Sequence, residues 1–237
     1  MTEVVVRCSG VTRTYQDEAV PVYALRGVDF EVRRGEFVSL AGPSGSGKST
    51  LLNVIGGLDR PNEGLIEVDG INLNDLSQSE LSDMRLNKMG FVFQAYNLIP
   101  VLSALENVEF IMQLQGVGAA ERSERARAAL ASLGISELEH RRPGELSGGQ
   151  QQRAAIARAI VTNPVLLLAD EPSANLDSHA TEELLELLQR LNEERGVTIV
   201  TATHDPMVMS YAKRRINLRD GTIVEDAISA AALPAVR

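Results

Sequence analysis

The residues best suited to chemistry lie in one glycine-rich run. It fits the pattern G-x-x-x-x-G-K-[ST] with Gly42, Pro43, Ser44, Gly45, Ser46, Gly47, Lys48 and Ser49, and Thr50 directly after it is a further candidate binding residue. Glycines let such a backbone fold so that its N–H groups point at phosphate oxygens. The Lys48 amine would reach the β and γ phosphates, and the Ser49 hydroxyl would ligate Mg²⁺. The run therefore predicts a site for a nucleoside triphosphate.

A second candidate anion site starts at Ser147. Ser147 and Gln150 form a capping box, which predicts a helix start. Gly148 and Gly149 lie between them, and a capped helix that begins with glycines exposes backbone N–H groups to an anion. The two interpretations, a plain helix start and a phosphate contact, are compatible.

Two adjacent carboxylates, Asp170 and Glu171, end an apolar run that begins at Leu166. Successive residues of a strand point to opposite faces, so the two carboxylates are expected to do different work. His204 follows another β-branched run, residues 197–203, and is therefore a further candidate site residue at the end of a predicted strand.

Strand and helix signals alternate around these residues. Residues 37–41 predict a buried strand directly before the glycine-rich run, and residues 48–58 predict the helix after it. Residues 165–169 and 197–203 predict two more buried strands. Capping boxes and helix formers over about residues 95–163 predict an inserted helical lobe, so the fold class is α/β.

Short β-structure is predicted at both ends of the chain. Val4 to Val6 predict a short strand. Asp-Gly pairs at residues 69–70 and 220–221 predict hairpins, because this pair tolerates the positive φ of a type I′ turn.

Composition excludes several function classes. The 237 residues contain 23 Lys plus Arg and 32 Asp plus Glu, a formal net charge of −9, which argues against a nucleic-acid partner. The single cysteine, Cys8, excludes an intramolecular disulfide and an all-cysteine metal site. No run approaches the ~20 apolar residues of a membrane-spanning helix. The N-terminus lacks the pattern of a signal peptide, so a cytoplasmic location is expected.

Taken in order, these motifs resemble the ATP-binding cassette (ABC) family of ATPases over residues 3–226. The run 146–150 is similar to the family's signature sequence, and residues 166–171 are similar to its Walker B strand. The closest likeness is to the macrolide-efflux, lipoprotein-release and cell-division branch, on residues 93–100 among others. The resemblance implies a P-loop NTPase fold with a RecA/F1-like core, an antiparallel β subdomain, a helical subdomain at about 95–163 and a C-terminal tail from 227 to 237.

The resemblance also implies ATP and Mg²⁺ as cofactors and a role for each site residue. Asp170 and Gln94 would join Ser49 at the metal. Glu171 would be the general base that polarises the attacking water, and His204 would contact the γ-phosphate. The catalytic residues expected on this basis are Lys48, Gln94, Glu171 and His204.

Two implied roles have competing interpretations. Tyr15 would stack on adenine, and Tyr23 is the alternative, since stacking needs only a π face. Asp177 would belong to the loop that contacts ATP on another subunit, or it would only cap the following helix. His140 and His179 match no motif and are expected to be solvated.

The resemblance implies two kinds of partner. A second copy would complete each site, so that Ser147, Gly148, Gly149, Gln150 and Asp177 bind ATP in trans within an ATP-dependent head-to-tail homodimer. Integral membrane permease subunits would hold the chain on the inner face of the cell membrane. The loop 95–101, with Leu98, Ile99 and Val101, would contact the permease, or these side chains would belong to the lobe core.

Two rival functions remain. An ATPase of this type could gate a membrane protein mechanically without moving a solute, as in the cell-division branch. A soluble ABC ATPase of DNA repair or translation is the other rival. The 98 residues from Ser49 to Ser147 leave no room for the coiled coil of repair members. Translation factors carry two cassettes, whereas one is found here.

Overall fold

The computed structural model describes residues 3–17 and 20–228. Within them the strands are β1 (Val4–Asp17), β2 (Val20–Arg33), β3 (Phe37–Ala41), β4 (Glu63–Val68), β5 (Ile71–Asn72), β6 (Met89–Val92), β7 (Leu166–Asp170), β8 (Thr198–Thr203), β9 (Arg214–Arg219) and β10 (Thr222–Ile228). The α-helices are α1 (Lys48–Ile55), α2 (Gln78–Lys88), α3 (Ala104–Leu114), α4 (Ala119–Ser132), α5 (Gly148–Ile160), α6 (Ser178–Arg195) and α7 (Pro206–Tyr211). Short 3₁₀ turns lie at Leu73–Asp75, Ser136–Leu138 and Pro143–Glu145.

The larger sheet in the described chain has the strand order β10-β9-β3-β8-β7-β6 and is parallel except where β10 meets β9. Strands β3 and β8 are buried along their whole length, which explains their continuous apolar and β-branched sequences. Ala41 pairs with Thr203, and Ala169 pairs with Thr201. Because these strands run parallel in matched register, the loops that follow β3, β7 and β8 emerge at one edge.

A smaller antiparallel sheet has the order β2-β1-β4-β5. The predicted strand at Val4 to Val6 is much longer, because β1 pairs with β2 as far as Asp17. Its polar second half carries no hydrophobic alternation, and pairing with β2 imposes the extended backbone there, since the pairing with β4 ends at Thr12. The Asp-Gly hairpins are confirmed, with φ 51° at Asp69 and 51° at Asp220.

The helices α3, α4 and α5 lie within the predicted lobe and share a core that contains Met112, Leu130 and Ile156. The capping boxes at Ser103 and Ser147 are confirmed. Helix α2 was not predicted, because it buries only Leu81 and Met84 and its apolar pattern is weak. Its capping box, Ser77 with Glu80, was a usable signal.

The C-terminal tail begins later than residue 227. Ala227 and Ile228 pair with Arg215 and Arg214, so β10 continues through them. The rest of the predicted tail, residues 229–237, lies outside the described residues. Within the described part of the chain, no helix is both long and apolar enough to cross a membrane.

Candidate functional site

The glycine-rich run forms the loop between β3 and α1, and its glycines are required by close backbone approach. Gly42 has φ 143°, and a Cβ there would lie 2.2 Å from the Leu218 carbonyl oxygen. Gly47 has φ 103°, and a Cβ there would lie 2.4 Å from the Ala24 carbonyl oxygen. Helix α1 begins at Lys48, and its N-cap residue Gly47 offers no side-chain cap, which leaves the first N–H groups of the helix for an anion.

Lys48 is buried inside this loop. Its Nζ donates to the carbonyl oxygens of Gly42 at 2.8 Å and Pro43 at 2.9 Å. The Ser46 hydroxyl is also buried and has no hydrogen-bond partner in the structure. An ammonium group and an orphaned hydroxyl within one loop fit the phosphates of a nucleotide, whose oxygens accept from both.

The metal-ligand candidates Ser49 and Asp170 are in direct contact. The Ser49 hydroxyl donates to Asp170 Oδ1 at 2.9 Å. Burial raises the pKa of Asp170, and the nearby Glu171 charge adds to this, whereas the Ser49 hydrogen bond and the Lys48 charge oppose it. One hydroxyl and one carboxylate are oxygen ligands that Mg²⁺ takes beside phosphates and water. Among the described residues no cluster of three or more His, Cys, Asp and Glu could hold a metal.

Gln94 lies in the loop after β6 and its side chain is exposed. Its main-chain carbonyl accepts a hydrogen bond from Asn175 Nδ2 at 2.8 Å. No hydrogen bond joins its amide group to Ser49 or Asp170 in the described structure, so its place at the metal stays a prediction.

Glu171 and His204 form a pair. His204 Nδ1 lies 2.7 Å from Glu171 Oε1, and the Thr203 hydroxyl donates to Glu171 Oε2 at 3.2 Å. The two ends of the carboxylate therefore have separate partners, which orients it.

Glu171 lies beyond the end of β7, in left-handed backbone with φ 44°. Its N–H donates to the Ala202 carbonyl at 2.8 Å and holds this strained turn. Asp170 and Glu171 have different partners, as expected, but Glu171 lies outside β7, so the alternation of a strand does not apply to it. The left-handed turn at Glu171 changes the direction of the chain there.

Two tyrosines were candidates for the adenine contact. The Tyr15 hydroxyl donates to Asp59 Oδ2 at 2.7 Å, and the Arg13 guanidinium lies 4.6 Å from the ring centroid. Tyr23 is 54% exposed, and Arg26 lies 5.2 Å from its ring centroid. Both rings have an arginine on one face, so the contacts do not distinguish them and the assignment of Tyr15 stays a prediction.

The second anion-site candidate lines a separate groove of about 540 Å³. The predicted trans residues on this groove are Ser147, Gly148, Gly149, Gln150 and Asp177. Asp177 Oδ1 accepts from the Ala180 N–H at 2.8 Å, so its helix-capping interpretation is confirmed. No residue of the glycine-rich loop lines this groove, and neither Glu171 nor His204 does, so on the described chain these motifs do not share one cavity with the second anion-site candidate.

An apolar groove of about 620 Å³ lies between α2, β6, α3 and α5. Its lining includes Phe93, Ile99, Phe110, Ile111 and Leu114. The three apolar candidates in the loop 95–101 have different environments: Leu98 packs against the lobe core, Ile99 lines the groove, and Val101 is 72% exposed. His140 and His179 are exposed, as predicted.

Sequence reasoning assigned no role to two residues that support the site. Thr203 contacts Glu171 and also accepts from the Asp205 N–H at 3.0 Å. Asn175 joins its own loop to the Gln94 loop. The position of Thr203 directly before His204 was a signal for it, whereas the Asn175 contact required the three-dimensional structure.

Comparison with known proteins finds relatives described as ATP-binding proteins of ABC transporters or as ATP-binding/permease proteins. A family model described as ABC transporter matches residues 25–174. An uncharacterized ABC transporter ATP-binding protein, MJ0796 of Methanocaldococcus jannaschii, is 50% identical over 222 residues, which cover 92% of this chain and 94% of that protein. The macrolide export ATP-binding/permease protein MacB of Syntrophobacter fumaroxidans is 46% identical over 95% of this chain. This chain spans 32% of that MacB protein.

Solved structures agree in fold. A dimeric structure of a post-hydrolysis state of the ATP-binding cassette MJ0796, bound to ADP and Pi, superposes with a TM-score of 0.88 at 46% identity and covers 94% of this chain and 98% of that one. The structure of cbiO1 from Clostridium perfringens, part of the transporter complex cbiONQ, has a TM-score of 0.84 at 29% identity, with 95% of this chain and 89% of that one covered.

Proposed function

This chain belongs to the ABC transporter family, and we propose that it is the ATP-hydrolysing subunit of a membrane transport complex. It is an ABC ATPase that uses ATP with Mg²⁺. In our proposal, ATP closes a head-to-tail homodimer, hydrolysis opens it, and this cycle drives a separate permease. The observation that carries the proposal is the division of the site residues into two groups on one chain.

Hydrolysis follows from the side chains at the sheet edge. Lys48 and the loop N–H groups would bind the phosphates, and Ser49 and Asp170 would hold Mg²⁺, which neutralises charge on the β and γ oxygens when bound. Glu171, oriented by Thr203 and His204, would accept a proton from the attacking water. With Nδ1 at Glu171, His204 Nε2 is the ring nitrogen left for a γ-phosphate oxygen.

Dimerisation would bring the second group to the nucleotide. The groove beside Ser147 offers the N-terminus of the 13-residue helix α5, which attracts an anion. A twofold arrangement lets each copy give this groove to the other's nucleotide, so both sites close together. The relative MJ0796 is dimeric in its solved structures, which supports a dimer of this chain. A γ-phosphate contacted from both sides would shift the population towards the dimer.

Ser147→Arg tests the trans contact. We expect the variant to bind ATP as a monomer with unchanged affinity, but to form no ATP-dependent dimer, because the longer cation fills the groove. Nucleotide titration and light scattering measure the two properties. Ser103→Arg is the matched control, since Ser103 also caps a helix through a capping box and loses about 1 kcal/mol of cap stability. Loss of ATP affinity in the Ser147→Arg monomer would contradict the proposal.

The permease would dock in the apolar groove between α2, β6, α3 and α5. Leu114 is 57% exposed there and Leu58 is 47% exposed, and apolar surface of this kind favours an amphipathic partner segment. Asn97 and Ile99 line the same groove and follow Gln94 closely in the chain. The relatives named as ATP-binding/permease proteins, of which this chain spans about a third, support a permease as the occupant. Docking would hold the chain at the inner face of the cell membrane.

A photo-crosslinking residue at Leu114 tests the docking groove. We expect it to capture an integral membrane protein from producing cells, whereas the same residue at Val224, 59% exposed on β10, captures none. The captured protein is then placed in lipid vesicles with this chain. ATP turnover that rises only with a transported solute would support transport. Turnover that rises without any solute would favour mechanical gating, and equal capture at both positions would contradict the groove assignment.

A further inference from the structure

The chain segment that follows Gln94 has an unusual backbone. Tyr96 has φ 58° and Asn97 has φ 50°, so two consecutive residues other than glycine are left-handed. Such conformations are costly for residues with a Cβ and persist only where neighbouring groups hold them. The local hydrogen bonds, from Tyr96 N to Phe93 O and from Asn97 N to Ala95 O, close the turn but do not fasten it to the rest of the molecule.

Arg158, on helix α5, fastens this turn. Its Nη1 donates to the Asn97 carbonyl at 2.5 Å and its Nη2 to the Tyr96 carbonyl at 3.0 Å. Burial lowers the pKa of Arg158, and no carboxylate of the described chain forms an ion pair with it. The two carbonyl oxygens are therefore the groups that compensate its charge, and a planar guanidinium can hold both at once.

The Gln94 end of this segment also has contacts with the rest of the molecule. Asn175 Nδ2 donates to the Gln94 carbonyl at 2.8 Å. The Tyr96 hydroxyl lies against Gly148, where a Cβ would approach it to 2.9 Å. The main chain from Gln94 to Asn97 is thus positioned between the loop of Asn175 and helix α5, and Arg158 supplies the charged contact.

We propose that Arg158 is a positioning residue for ATP hydrolysis, which holds the left-handed turn at Tyr96 and Asn97 and thereby sets where the Gln94 side chain lies. This inference rests on the role proposed for Gln94 as a catalytic residue at Mg²⁺. Arg158 does not touch the nucleotide in this scheme. Its effect is on the geometry of the reacting state, since a displacement of about 1 Å at a reacting group lowers rates by up to about 100-fold.

The first test compares Arg158→Gln with Arg125→Gln in the purified full chain. We expect Arg158→Gln to lower kcat about tenfold with little change in the KM for ATP. Arg125 is the matched control, because its Nη2 also donates to a main-chain carbonyl, that of Val161, at 2.9 Å, and it forms no hydrogen bond to residues 94–97 of the described chain. Arg125→Gln should keep the kcat of the wild type, and both variants are assayed well below their Tm. Equal losses of kcat in the two variants would overturn the proposal.

A double-mutant cycle separates positioning from general stability. If Arg158 acts through Gln94, the double variant Gln94→Ala with Arg158→Gln should turn over ATP no more slowly than Gln94→Ala alone. Asn97→Gly should restore part of the lost kcat in Arg158→Gln, because glycine adopts positive φ without strain.

The outcomes distinguish the inference from the function on which it rests. Additive losses in the double variant, or wild-type turnover in Arg158→Gln, would overturn the positioning role alone. Wild-type turnover in Gln94→Ala would overturn both this role and the assignment of Gln94 to the site. The unsubstituted chain is first shown to hydrolyse ATP in the same assay. An inactive preparation then cannot be mistaken for an effect of a substitution.

Discussion

Glu171→Gln is expected to lower ATP turnover by at least about 100-fold and to trap an ATP-bound dimer. A positioned general base contributes roughly 10²- to 10⁴-fold to rate, and an amide cannot accept the proton. Glutamine has nearly the same shape and keeps a carbonyl oxygen for the Thr203 hydroxyl, so nucleotide binding should survive. Light scattering with Mg-ATP should show about 51 kDa, twice the 25.6 kDa of the chain, and about 26 kDa without nucleotide.

The control for this experiment is Glu186→Gln, an exposed glutamate on α6. It removes the same charge from the chain but should leave both turnover and the mass distribution as in the wild type. A Glu171→Gln protein that binds ATP yet keeps a mass near 26 kDa at all concentrations would contradict the ATP-driven homodimer. Turnover within a few-fold of the wild type would contradict the assignment of Glu171 as the base.

The second large effect is expected from Lys48→Ala, which should weaken ATP binding about 100-fold. Hydrogen bonds to charged groups are worth about 1.5–3 kcal/mol each, and about 2.7 kcal/mol corresponds to a factor of 100 in Kd. In the structure the Lys48 ammonium donates to the Gly42 and Pro43 carbonyl oxygens. When ATP binds, phosphate oxygens would replace these carbonyl oxygens as acceptors of the Lys48 hydrogen bonds. The variant also loses these two hydrogen bonds within the loop. Calorimetric titration of the monomer with Mg-ATP measures the change.

Lys213→Ala is the matched control for charge. Lys213 lies between α7 and β9 and contacts Asn192 and Glu193, not the phosphate loop. Its removal should leave the Kd for ATP within about twofold of the wild type, which is the scale of a surface substitution far from the site. A Kd for Lys48→Ala within threefold of the wild type would show that the loop does not use this amine.

Several parts of the fold could be predicted because short-range chemistry specifies them. The helix starts at Ser103 and Ser147 follow from side chains three residues apart. The buried strands β3 and β7 follow from uninterrupted apolar runs. Helix α2 and the full length of β1 could not be predicted from hydrophobic periodicity, because α2 buries few side chains and β1 is extended by its partners.

The candidate site also has contacts that the sequence could predict and contacts that it could not. Ser49 and Asp170 were assigned from motifs, and their hydrogen bond forms where the parallel strands β3 and β7, which lie on either side of β8, end at the same edge of the sheet. The pairing of Glu171 with His204 depends on a left-handed turn that no local pattern indicates. The contacts of Arg158 with a strained turn some 60 residues earlier in the chain were equally outside sequence reasoning.

The sequence by itself determined which chemistry is present: a phosphate loop, a capped helix with two leading glycines, and a carboxylate pair after an apolar strand. Residue type and spacing are enough there, since each motif works through its own backbone and side chains. The tertiary structure decided which of these motifs meet on one chain and which lie apart. That outcome depends on the register of β3, β7 and β8 and on the packing of α5 against the Gln94 loop, which are contacts between residues far apart in sequence.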